Sequence, residues 1–197
     1  MNSFDPDTYG PVFAPLLAID RRRPLDAGTP DSKSRPALKQ LSVEQAFEHV
    51  ADEDMAACCI AGVWLLHDFL DESHTISQGI DTPTGSFWHG IIHRREGDFS
   101  NAKYWFRHAG NHPVFDTIGK HPHVGASLRD ANANFGETHL REWTPFTFVD
   151  LCQAVARGKS DAQELCLDIQ QAEWESLFDY CFREAVGGQF PPLAVAR

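Results

Sequence analysis

Between Gly85 and Phe115 the chain reads GSFWHGIIHRREGDFSNAKYWFRHAGNHPVF, a block that concentrates aromatic residues, four His and four Lys/Arg. His89 and His93 are four residues apart, so a helix places both imidazoles on one face, where they can share a metal ion. A third ligand must then come from another element. His67 is the first choice, because it lies on the apolar stripe Ala56, Ile60, Val63, His67, Leu70; Asp68, His74 and His139 stand in reserve. Nitrogen and oxygen donors of this kind suit zinc or ferrous iron. The pattern lacks the Glu that follows the first His in H-E-x-x-H, so it does not read as a metalloprotease helix. The competing reading is a structural His pair, hydrogen-bonded to carboxylates or backbone in a polar patch of the core.

Arg94 and Arg95 follow directly. Guanidinium forks grip carboxylate or phosphate in a bidentate manner, so these two are the candidate holders of an anionic ligand, with Lys103 and Arg107 adding charge. The alternative is internal pairing with Glu96, Asp98 or Asp68. Trp88, Tyr104, Trp105 and Phe106 recur at helical spacing and read as core aromatics. The chain contains no G-x-x-x-x-G-K-[ST] or G-x-G-x-x-G phosphate loop and no G-x-S-x-G elbow.

Helices must position these residues, since no stretch alternates apolar and polar with period two. A first helix is expected from Ser42, with Gln45 completing a capping box. A second spans 53–71, capped by Asp52 and apolar nearly all round. A third covers 86–96 and a fourth 98–109, joined by the tight Gly97-Asp98 turn and ended by Gly110. A short helix follows at 113–118. The fifth opens at Thr144-Pro145 and stops at Gly158; the sixth opens at Ser160, with Gln163, and stops at Gly187-Gly188. Residues 119–143 form a long polar segment with three His, the candidate lid.

Residues 1–40 hold six of the twelve prolines and the run Arg21-Arg22-Arg23-Pro24, so an extended or irregular arm is expected ahead of a helical domain at 41–190. The arm either drapes over the domain through Phe4, Phe13, Leu16 and Leu17 or offers its arginines to a partner. A chain of 197 residues can close one core, and its 42% hydrophobic content argues against wholesale disorder. The net charge of −11 repels phosphate, so nucleic acid and anionic membrane are not expected partners. No secretory leader or membrane-length apolar run is visible. Five cysteines without a C-x-x-C read as reduced core thiols of a cytoplasmic protein.

The block 85–115 resembles a single tetratricopeptide-type hairpin. Gly90, Ala102, Phe106 and Ala109 match the small and aromatic positions that let the two helices of that family approach closely, and the Gly97-Asp98-Phe99 turn also matches. Ser86, His89 and His93 replace the family's large apolar residues, and no second copy follows. The chain is also similar to uncharacterised bacterial helical proteins sharing F-W-H-G-x-x-H-R-R-E and W-x-P-F-x-F-V-D-L-C, here Phe87 to Glu96 and Trp143 to Cys152. That likeness implies no activity.

The expected architecture is all-α: a single-domain helical bundle of about six helices containing one tetratricopeptide-like antiparallel hairpin, with an irregular N-terminal arm. The expected function is small-ligand or metal binding, in a pocket lined by His and Arg between the second and third helices. A non-catalytic protein-interaction module, using the hairpin groove and the arm, is the alternative.

Overall fold

Helix follows helix through the computed structural model, which describes residues 4–121, 124 and 143–188; none of these lies in a strand. A 3-10 turn, Pro6–Tyr9, leads into α1 (Gly10–Leu17), α2 (Arg35–Gln40), α3 (Val43–Ala46), α4 (Glu53–Leu66) and α5 (Leu70–Ser77). Then come α6 (Pro83–Arg95), α7 (Phe99–Ala109), α8 (Pro113–Gly119), α9 (Pro145–Ala156) and α10 (Gln163–Ala185). The all-α bundle is as expected, built from more and shorter helices than six.

Local chemistry sets the helix starts. Side-chain oxygens of Asp52, Thr82, Asp98 and Thr144 accept the amide hydrogens of Met55, Gly85, Asn101 and Thr147, and each cap is worth about 1 kcal/mol. Pro83 and Pro145 occupy first-turn positions, where no amide hydrogen is needed.

Helix α6 is the central rod: its residues from Thr84 to Arg95 are all buried. It packs against α4, α5 and α7, while α10 crosses α4. Glycine permits the closest crossing. A Cβ on Gly62 of α4 would lie 2.8 Å from the Trp88 ring of α6, and the Trp174 indole of α10 donates to the Gly62 carbonyl at 3.0 Å. Helices α6 and α7 run antiparallel. The Gly90 position faces the Phe106 ring, where a Cβ would sit 3.0 Å away, and His93 near the turn meets Asn101.

Three features differ from expectation. Ser42 makes no side-chain cap, and α3 stops after four residues, where Phe47 turns extended and joins Phe13 and Phe182 in the core. The long second helix ends at Leu66 rather than reaching residue 71. Asp68 adopts a left-handed conformation (φ +63°), and the chain restarts as α5. The N-terminal segment is helical over α1 and α2: Pro6, Pro11 and Pro36 sit in first turns, where no amide donor is missed, and Pro15 falls inside α1, which ends two residues later at Leu17. It lies against the domain: Phe4, Tyr9, Phe13, Leu16 and Leu17 are buried, and Arg21, Arg22 and Arg23 pair with Glu175, Glu164/Asp168 and Asp68. The candidate lid falls outside the described residues apart from 119–121, 124 and 143. Among the described residues, no helix is long and apolar enough to cross a membrane.

Candidate metal centre

Three imidazoles converge where α5, α6 and α7 meet. His74 comes from the last turn of α5, and His89 and His93 come from successive turns of α6. One nitrogen from each can be chosen so that all lie within 4.8 Å of one another, a grouping able to hold a metal ion. His74 Nε2 and His89 Nε2 are 2.8 Å apart. The His89 and His93 rings are nearly parallel, with centroids 5.2 Å apart, and His74 stands edge-on to both. Donors that share an ion through bonds of about 2.1 Å are themselves about 3.0–3.4 Å apart. The His74–His89 pair, at 2.8 Å, is slightly inside that spacing, and no two atoms of the set are more than 4.8 Å apart.

Neighbouring groups fix the rings. The Trp105 indole of α7 stacks flat on His89, with centroids 4.0 Å apart and planes 2° apart. Glu96 Oε2 lies 2.8 Å from His93 Nδ1, out of line for a straight ring N–H bond but close enough to pair. The amide of Asn101, on α7, sits 3.2 Å from His93 Nε2. A carboxylate on one ring nitrogen favours the tautomer whose other nitrogen carries a lone pair, the usual arrangement of a metal-binding His. Burial, followed by the nearby His74 and His93, pushes His89 down to about 4, so it is neutral near pH 7 and free to donate a lone pair.

His67 does not join them. It is buried on the far side of α4's end, with Nε2 2.9 Å from the Leu16 carbonyl and Nδ1 3.5 Å from Asp31. The structure thus brings His89 and His93 together with His74, held in reserve on sequence grounds, and takes His67 into anchoring the N-terminal segment. Asp68, another reserve, lies between Arg95 and Arg23; His139 lies outside the described residues.

The two arginines point inward as well. Arg94 makes a bidentate pair with Glu173 of α10, and its guanidinium lies 4.3 Å over the Phe148 ring of α9. Arg95 donates to Asp68 Oδ1 at 2.6 Å, to the Leu65 carbonyl at 3.1 Å and to the Asp26 carbonyl at 3.0 Å. Both side chains are almost wholly buried, and their forks are occupied by the protein itself. A pocket does lie between α4 and α6, bounded by Leu65, Leu66, Ile91 and Arg95 and roofed by Arg21 and Arg23; no His lines it.

No local sequence signal places His74, because the chain breaks ahead of it at the left-handed Asp68, whose partners Arg95 and Arg23 are distant in sequence. The expected second helix stops at residue 71, short of His74, whereas the chain restarts as α5 (Leu70–Ser77) and carries it to α6. Comparison with known protein families, curated proteins and solved structures finds nothing that matches this chain.

Proposed function

We propose that the protein binds one divalent transition-metal ion through His74, His89 and His93, and presents it to a small ligand. The observation that carries this reading is the convergence of three imidazoles from two helices, with a carboxylate behind one and an indole stacked on another. A carboxylate or a stacked ring behind an imidazole holds it in the orientation a metal needs. Three imidazole nitrogen donors suit zinc or ferrous iron. Such an ion, when bound with a position left open, polarises a coordinated water or carbonyl oxygen. A cytoplasmic setting belongs to the same reading, supported by five free and buried thiols.

The test is elemental analysis of the purified protein, followed by titration with zinc, ferrous iron and manganese. About one ion per chain is expected, with a rise in melting temperature. His74→Ala removes a half-buried ligand and should abolish uptake. His67→Ala should keep the stoichiometry even if it lowers stability. A wild-type protein that stays metal-free, and whose melting temperature ignores all three ions, refutes the reading.

A further inference from the structure

We propose that Asn101 is the fourth protein ligand of this centre, binding through Oδ1 once its amide has turned over. The inference rests on the three-His reading and adds to it an oxygen donor, giving an N3O set on which a five- or six-coordinate ion still keeps a position for a small ligand. Glu96 takes the Nδ1 side of His93, which leaves the Nε2 lone pair facing the Asn101 amide. The separation there, 3.2 Å, falls within the spacing of about 3.0–3.4 Å expected for two donors on one ion. An asparagine amide carries a donor on one arm and an acceptor on the other. With its NH2 toward His93 it caps the lone pair of an empty ring. Turned by half a revolution about its last bond, it presents an oxygen to an ion at that lone pair.

The backbone does not have to move for this exchange. The Asn101 amide hydrogen is held by Asp98 Oδ1 at 3.1 Å, which seats the residue in the first turn of α7. The Gly97 turn (φ +80°) brings that turn beside the last turn of α6, where His93 lies. Asn101 is only half-buried, so the amide has room to rotate. The alternative role is positioning, a hydrogen bond that steadies His93 without touching the ion.

Cobalt(II) separates the two, because its visible absorption reports the donor set directly. The full-length protein and its N101A and N101D variants are titrated with cobalt chloride, and each fold is checked by circular dichroism. N101A should bind cobalt at least tenfold more weakly, with an altered band. N101D restores an oxygen donor with added negative charge, and sits favourably in a helix's first turn. It should bind at least as tightly as wild type, with a band close to the wild-type one. If N101A binds more weakly but keeps the wild-type band, the residue only positions His93 and the proposal falls. If N101A matches wild type in both affinity and band while His74→Ala loses cobalt, the proposal falls and the three-His site stands. Wild-type protein that takes up no cobalt overturns both.

Discussion

The buried pair of Arg94 and Glu173 should respond unequally to loss of either partner, and the inequality can be worked out from the structure. Both side chains are at most 1% exposed. Replacing Arg94 by Met strands a carboxylate, but that carboxylate can escape its charge by taking up a proton. Burial raises the Glu173 pKa and Arg94 is what opposes the rise, so its removal pushes the pKa higher still. Protonating the group in the folded state costs about 1.4 kcal/mol for each pH unit above its unfolded pKa of about 4.3. The penalty for Arg94→Met should therefore grow between pH 5.5 and pH 7.5, by at most about 1.4 kcal/mol for each pH unit. Its sign follows from the raised folded-state pKa, because stability is lost as pH climbs above the unfolded value. Glu173→Gln strands a guanidinium, which cannot release its proton in this range. That penalty, about 3–5 kcal/mol, should stay flat with pH. Urea unfolding followed by circular dichroism at both pH values, each variant referred to wild type at the same pH, measures the difference. The double variant should cost less than the two singles together. An Arg94→Met penalty that is the same at both pH values would show that Glu173 is not stranded, and would refute the argument.

Two further substitutions probe the scaffold. Gly62→Ala gains about 1 kcal/mol of helix propensity, but sets a methyl 2.8 Å from a fully buried Trp88 ring; the crowding should win, for a net loss of about 1–2 kcal/mol by chemical denaturation. His112 caps α8 by accepting the Val114 amide hydrogen on Nδ1, with Nε2 3.0 Å from Thr84 Oγ1, and burial pushes it down to about 4. Its folded pKa lies below the unfolded value, so stability is complete above about pH 6.5 and falls by up to about 3 kcal/mol as pH drops toward 4. His112→Asn keeps a good cap and should flatten that part of the pH–stability curve; an unchanged slope would contradict the assignment.

Features decided within a few residues were legible before any coordinates. Asp52, Asp98 and Thr144 cap their helices because the donor lies two or three residues on, and Gly110 ends α7 in a left-handed conformation that its missing Cβ allows. The pairing of His89 with His93 follows from helical periodicity alone. Features decided across the chain were not legible. Asp68 takes a costly backbone conformation because Arg95 and Arg23, 27 and 45 residues away, neutralise its carboxylate. That break creates α5, and with it the direction in which His74 points. Arg94 finds its carboxylate 79 residues downstream, a distance no local pattern bridges. Ser42 had the right neighbour for a capping box, but its hydroxyl bonds the Glu44 carboxylate instead, and Phe47, buried against Phe13 and Phe182, lies just past the end of the four-residue helix.

The carboxylate of Asp68 is a junction for three stretches that are far apart in the chain. It stops α4, receives Arg95 from the central rod, and receives Arg23 from the N-terminal segment, whose Gly28 passes so near that an added methyl would strike it at 2.7 Å. Arg95 lies deeper than Arg23, so the junction has an inner half and an outer half. The inner half belongs to the helical domain and closes with it. The outer half is one of several points that hold the first thirty residues: Arg21 and Arg22 reach α10, Arg95 donates to the Asp26 carbonyl, and Phe13 and Leu17 are fully buried in the core. The segment is thus riveted along its length, and amide hydrogens of α1 should exchange no sooner than those of the helices it covers.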